Sequence, residues 1–388
     1  MKKWMAYLLA LVLGLSPVCA LAEGRPLEEQ LPIELGQNMS VLLMDAVTGT
    51  VIYQQKEEEK RPVASITKLM TMLLTMEALD AGVLSLEQNV TVSERAQSMG
   101  GSQAYLEAGG VYTVDSLLKS LIVASANDSA VALAELLSGS ENAFVDKMNK
   151  RAEELGLEDT HYINCTGLPG EGQYTTAKDV AKLSMEVISH PVYFTYSKIW
   201  TDQITHRGGR VTDLCNTNRL IRFYDGADGI KTGFTNAAGF CVSATAKRGD
   251  QRFIAVVLGG STSQGRFCAA EELLSYAFAN YESKTVLEKD TILGEVPVEK
   301  GTEETVSVGC EKDIAVFLKK GQKVTYDWST QEEVFAPVEE GRTLGVISVY
   351  VDEDKYMDYP LVAMESIGKM TLQNGISKVT SRWLCLNR

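Results

Sequence analysis

Histidine is scarce in this sequence: His161, His190 and His206 are the only three in 388 residues. All lie in polar or loop contexts without a matching aspartate pattern, so a Ser-His-Asp arrangement has no support. The seven cysteines are scattered, with no Cys-x-x-Cys pair and no histidine at ligand spacing. That argues against zinc and leaves any disulfides unassigned. Internal repeats and low-complexity tracts are also missing. The N-terminal apolar run, Trp4 to Leu15, is shorter than the ~20 residues needed to span a bilayer.

The same N-terminus carries Lys2 and Lys3 before that run, then Pro17 and a small-residue site at Ala20-Leu21-Ala22. This is the layout of an export signal over residues 1–22, cleaved after Ala22. The alternatives are an uncleaved anchor, disfavoured by the short run, and lipid attachment at Cys19, disfavoured by Ser16-Pro17-Val18 before it. Loss of Lys2 and Lys3 takes the formal charge from −14 to −16, which excludes nucleic acid as a natural partner. The length and 45% hydrophobic content fit one large domain plus a smaller one.

Ser40 to Ala46, a Val47-Thr48-Gly49 turn and Val51 to Gln55 predict a β-hairpin. A helix is expected from Ser65, with Leu69, Met72, Leu73, Met76 and Leu79 at helical spacing and Asp80-Ala81-Gly82 closing it. Thr113 to Leu137 reads as two helices, capped by Thr113 and interrupted around Ser125 to Asp128. Strands are expected at Gly229 to Thr235, Phe240 to Lys247 and Arg252 to Leu258, followed by a helix over about Gly265 to Tyr281.

After Lys284, alternating Val, Thr and Glu with glycine punctuation predict a small all-β domain, 285–365, behind a larger domain, 23–284. From Ser366 to Arg388 there are four basic residues and no acidic ones, and Leu372, Ile376, Val379 and Trp383 form one apolar stripe. That segment reads as an interfacial membrane helix, weakened by Gly375 by ~1 kcal/mol. The alternatives are packing on its own β domain or disorder.

Three short motifs carry the chemistry. In Ser65-Ile66-Thr67-Lys68, residues three apart share a helix face, so the lysine amine can reach the serine hydroxyl. Serine alone is a weak nucleophile, and a lysine that burial has deprotonated can serve as its base. The pattern is cheap: Ser116-Leu117-Leu118-Lys119 and Ser366-Ile367-Gly368-Lys369 match it too, and both read as ordinary surface residues. Ser125-Ala126-Asn127 sits at the helix break. Ser125 is suited to relaying a proton and Asn127 to hydrogen-bonding a peptide, although in isolation a polar turn between helices is the better explanation of them. A second match, Ser140-Glu141-Asn142, lies in a looser loop. Lys231-Thr232-Gly233 occurs once, on a predicted strand. It offers a cation and a hydroxyl for a carboxylate, and a glycine where a ligand backbone can come close. Phe234 follows, with an N–H available to an oxyanion or to an added strand.

The order of the three motifs, with separations of about 60 and about 100 residues, resembles the penicillin-binding protein and serine β-lactamase superfamily. Within it, the chain is identified as a member of the low-molecular-mass, serine-type D-Ala-D-Ala carboxypeptidases, peptidase family S11. The narrower match rests on Pro62-Val63-Ala64, Asn164-Cys165-Thr166-Gly167-Leu168, Tyr174-Thr175-Thr176-Ala177-Lys178-Asp179, Asp228-Gly229-Ile230 and Asn236-Ala237-Ala238-Gly239, from about Leu43 to Tyr281. Cys165-Thr166 departs from the Pro and His more usual there.

The resemblance implies an α/β (α+β) β-lactamase/transpeptidase-like fold: an antiparallel sheet flanked by helices, a helical subdomain, then the small β domain and amphipathic tail. It also implies that Ser65 is acylated, Lys68 is its base, Ser125 relays the proton, and Asn127, Lys231, Thr232, Gly233 and Phe234 position substrate. Arg266 is either a ligand of the terminal carboxylate or a structural arginine. The implied substrate is a peptidoglycan stem ending in D-Ala-D-Ala, with β-lactams as covalent mimics and no cofactor or metal. Rival readings are a β-lactamase, disfavoured because Glu171 lies outside any Glu-x-x-Leu-Asn pattern, a transpeptidase, and a silent wall-binding or penicillin-sensing protein.

Overall fold

The computed structural model describes residues 31–371. The expected export signal lies outside the described residues, as does the expected tail helix from Leu372 onward. The chain divides into two compact units, Met1–Tyr276 and Ala277–Arg388. Lys284, where the composition changes, falls inside the second unit's first strand, Tyr281–Leu287.

The first unit is built on a five-stranded sheet. Its strands are β1 (Ser40–Asp45), β2 (Val51–Gln55), β3 (Ala227–Thr235), β4 (Gly239–Arg248) and β5 (Gln251–Gly260), in the order β2-β1-β5-β4-β3. Every neighbouring pair is antiparallel. Phe253 to Leu258 in β5 and Cys241 to Ala246 in β4 are buried without a break. Side chains alternate between the faces of a strand, so continuous burial means that both faces of the sheet are covered.

The helices that matter here are α1 (Lys68–Asp80), α2 (Val114–Val123), α3 (Asn127–Ser138), α4 (Glu141–Glu154), α5 (Ala177–Ser189) and α6 (Ser263–Asn280). The stripe expected along α1 understates its burial: Met70, Thr71, Leu74 and Thr75 are buried as well. Helices α2, α3, α4 and α5 all pack around it, so only its C-terminal end, at Glu77, Leu79 and Asp80, reaches water. Its two buried threonines are satisfied, Thr71 Oγ1 donating to the Cys165 carbonyl at 2.8 Å and Thr75 Oγ1 to the Thr71 carbonyl at 2.8 Å. Helix α1 also starts later than expected. Ala64–Thr67 forms a tighter 3-10 turn leading into Lys68, so Ser65 lies in that turn. At the other end Gly82, at φ +68, takes the left-handed cap conformation.

Thr113 caps α2, its Oγ1 accepting from the Ser116 amide at 3.2 Å. The helix ends at Val123, and α3 begins at Asn127. Between them Ser125 stands at φ +62, a left-handed conformation that is costly for a residue with a side chain.

In the second unit six strands form one sheet, in the order Val324–Thr330, Thr343–Val351, Asp354–Ala363, Thr305–Gly309, Ile292–Glu299 and Val334–Phe335. A separate pair joins Tyr281–Leu287 to Ile314–Lys319. The start of the expected tail segment is extended rather than helical. Ile367 is buried and exchanges both backbone bonds with Val338 at 2.8 and 2.9 Å, and the Met370 amide donates to the Lys300 carbonyl at 2.7 Å. An apolar residue at 367 facing the β core, with ladder partners for its backbone, outweighs helix propensity there.

Candidate active site

The Ala64–Thr67 turn holds Ser65 half-buried at the mouth of α1, with Ala64 at φ +50 directly before it. One residue into α1, Lys68 is fully buried, and its Nζ lies 2.9 Å from Ser65 Oγ and 2.6 Å from the Thr166 carbonyl oxygen. Burial, which disfavours an ammonium, brings the Lys68 pKa down to about 7, against the smaller opposing pull of Cys165 and Asp128. At neutral pH a large share of the amine is therefore unprotonated.

The Thr166 carbonyl is presented by a tight turn. Asn164 Oδ1 accepts from the Thr166 amide at 3.1 Å, Thr166 Oγ1 at 3.1 Å and the Gly167 amide at 2.7 Å. Lys68 contacts a main-chain oxygen, so the departure from Pro and His at 165 and 166 leaves this contact available. Cys165 itself is buried beside Lys68, with its thiol pKa pushed well up by burial and by Glu141.

At the helix break, Asn127 is fixed by a loop. Its amide donates to the Ser102 carbonyl at 2.7 Å and its Nδ2 to the Gly100 carbonyl at 2.6 Å. That loop is in turn held by Asp128, whose buried carboxylate accepts from the Ala104 and Leu106 amides, both at 3.0 Å.

Strand β3 closes the third side. Gly233 packs so tightly against the turn that carries Ser65 that an added Cβ would meet the Val63 carbonyl oxygen and lie 3.2 Å from the Ser65 amide nitrogen. Lys231 is buried, its Nζ 3.1 Å from the Thr232 carbonyl. Burial, then the charges of Lys68 and Arg266, hold its pKa well below the usual lysine value. Thr232 Oγ1 donates to Thr217 Oγ1 at 2.7 Å, and the Thr217 amide reaches the Val123 carbonyl at 3.2 Å, tying the strand to the helix break. Phe234 is half exposed and stacks on Phe240, ring centroids 4.2 Å apart.

Arg266 lies behind the strand, its Nη1 donating to the Gly233 carbonyl at 2.8 Å and the Cys241 carbonyl at 3.1 Å. Its guanidinium therefore braces β3 against β4. Among the described residues, the buried side-chain polar atoms without a partner are Ser125 Oγ, Asn127 Oδ1 and Arg266 Nε. Unsatisfied buried polar atoms are rare and costly, so their concentration in this set marks groups kept for something other than stability.

The two decoy motifs are accounted for elsewhere. Ser116 shares a hydrogen bond with Thr113 in the first turn of α2, and Lys119 pairs with Asp202 at 2.9 Å. Ser366 accepts from the Glu340 amide at 3.0 Å in an extended segment. Ser140 caps α4. The histidines are engaged away from Ser65, for example His206 between Tyr112 and Thr212 at 2.8 Å each. Sequence reasoning missed the Thr166 carbonyl, Thr217 and Asp128. The Asn-x-Thr-Gly spacing was a readable turn signal for the first, and nothing local pointed to Thr217.

A serine hydroxyl against a buried, readily neutral lysine, with main-chain amides beside it, is equipment for acyl transfer. Comparison with known proteins agrees. Residues 31–262 match the family profile of D-alanyl-D-alanine carboxypeptidase, and residues 281–369 match that of the penicillin-binding protein 5 C-terminal domain. D-alanyl-D-alanine carboxypeptidase DacF of Bacillus subtilis strain 168 is 38% identical over 347 residues, covering 89% of each chain. D-alanyl-D-alanine carboxypeptidase DacA of Escherichia coli K12 is 31% identical over 341 residues, 84% of this chain and 83% of that protein. Penicillin binding protein 5 from Haemophilus influenzae superposes with a TM-score of 0.78 at 28% identity, over 88% of this chain and 99% of the other. The chain belongs to the D-alanyl-D-alanine carboxypeptidase family.

Proposed function

We propose that this chain is an exported serine carboxypeptidase that removes the terminal D-Ala from peptidoglycan pentapeptide stems through an acyl-enzyme on Ser65. The observation that carries the reading is the 2.9 Å contact between Ser65 Oγ and a Lys68 amine brought to a pKa of about 7.

The stem lies extended along β3, its terminal carboxylate taken by Thr232 and Lys231. A bound carboxylate offsets the burial penalty on Lys231 and holds it protonated. Arg266 adds positive field from behind the strand. Asn127 orients the peptide. Neutral Lys68 takes the Ser65 proton as Oγ attacks the penultimate carbonyl carbon, and the Ser65 and Phe234 amides receive the oxyanion. Gly233 supports this by letting β3 run against the serine's turn. The C–N bond then breaks, and the leaving amine gains its proton through Ser125. Water then attacks the ester carbonyl and gives a proton to neutral Lys68; the ester C–O bond breaks, Lys68 passes that proton to Ser65 Oγ, and the shortened stem leaves with a free carboxyl end.

A β-lactam presents the same amide and carboxylate and acylates the same serine. Action on the outer face of the cytoplasmic membrane follows from the export signal, and the basic, apolar-striped tail supplies contact with the membrane surface. The deciding experiment measures D-alanine release from diacetyl-Lys-D-Ala-D-Ala. The protein releases it and Ser65→Ala does not; penicillin labelling without release would leave only a sensor.

A further inference from the structure

Lys68 Nζ contacts a main-chain oxygen, that of Thr166, and the turn bearing that oxygen is closed by one side chain, Asn164. A neutral amine has two hydrogens and one lone pair. If Lys68 Nζ donates to the Thr166 carbonyl at 2.6 Å, the rotation of the amine is restricted and its lone pair can face Ser65 Oγ at 2.9 Å. The Thr166 carbonyl belongs to no helix or strand; it sits in a loop between α4 and α5. What holds it is Asn164, whose Oδ1 accepts three hydrogens from Thr166 and Gly167 and whose Nδ2 donates to the Leu168 carbonyl at 3.0 Å. The remaining polar contact to this loop from α1 is Thr71 Oγ1 on the Cys165 carbonyl.

We propose that Asn164 is a positioning residue for acylation, setting the direction of the Lys68 amine through the Thr166 carbonyl. This rests on Ser65 and Lys68 acting as nucleophile and base. Asn164 itself touches neither substrate nor the reacting atoms. The ionisable neighbours acting on Lys68 are Cys165 and Asp128, and Lys231 responds to Lys68 in turn.

The test is the pH profile of acylation by a fluorescent penicillin, with wild type and Ser65→Ala as references and melting curves to confirm folding. In Asn164→Ala the plateau rate falls about 100-fold, the cost of a misplaced catalytic group. Its rising limb moves to lower pH, because a carbonyl that no longer accepts from the amine stops favouring the ammonium. Asn164→Asp keeps the accepting oxygen, retains most of the plateau and moves the limb to higher pH, since the added carboxylate favours the ammonium. A plateau in folded Asn164→Asp that falls as far as expected for Asn164→Ala overturns the proposal, as does a wild-type rate and limb in Asn164→Ala. Should Asn164→Ala not fold, the Asp variant decides alone. Absence of Ser65-dependent labelling in the wild type would instead overturn the functional reading itself.

Discussion

Gly167 lies against the carbonyl of Ala64 so closely that a methyl group on Gly167 would collide with that oxygen. The loop bearing the lysine's acceptor and the turn bearing the serine thus meet backbone to backbone. Gly167 also stands at φ +81, where other residues are strained. We expect Gly167→Ala to lose about 3 kcal/mol of stability or, where it folds, to separate the loop from Lys68. Thermal melting together with penicillin labelling checks this; a variant with wild-type melting and labelling would show the contact to be slack.

The depressed Lys68 pKa predicts a pH dependence. In the proposed mechanism the free amine is the working form, so acylation should climb through about pH 7 and level off above it. The same shift acts on stability with a definite sign. In the unfolded chain this lysine titrates near the ordinary lysine value of 10.5, so between about 7 and 10.5 the unfolded state binds more protons. This group's contribution to stability therefore rises with pH across that window and is least favourable below it. Second-order acylation rates taken from about pH 5 to 9 are the measurement, and a flat profile would rule out the lysine base.

Arg252 on β5 and Asp228 on β3 form a two-pronged ion pair, with both nitrogen-oxygen distances 2.7 Å. Asp228 is buried, and Arg252 also lies over the Phe194 ring. Removing the cation leaves a buried carboxylate unpaired, at a cost of about 3–5 kcal/mol. Arg252→Ala should therefore melt at lower temperature, while the folded fraction still labels with penicillin because Lys231 keeps its place on the strand. Labelling lost without any change in melting would contradict this.

A chain ended at Thr371 tests the membrane reading of the tail. It should keep D-alanine release and lose sedimentation with anionic lipid vesicles, with a stronger loss at low salt. Equal binding of both chains would assign membrane contact, if any, to another surface.

Much of the site was legible because its side chains come in short local patterns. Ser65 and Lys68, Ser125 and Asn127, and Lys231 to Phe234 are each close in sequence, and an i, i+3 spacing or a strand register places their members by local geometry alone. The decoys mark the limit of that reading. Ser116–Lys119 has the same spacing as Ser65–Lys68, yet its lysine turns to Asp202. Ser366–Lys369 lies on extended chain, where residues three apart no longer share a face.

The amino-acid order by itself determined the signal-like N-terminus, the acidic balance, the strand and helix periods of the first domain, the β character of the second, and the residue types available for chemistry. Tertiary structure alone decided which serine meets a lysine deprived of water. Burial, which lowers the Lys68 pKa, comes from segments far apart in the chain, the Thr166 loop among them. The carbonyl that Lys68 Nζ contacts is that of Thr166, 98 residues away along the chain. A main-chain carbonyl carries no residue signature, and desolvation belongs to the packed interior rather than to any one residue, so neither could be read before the chain was folded.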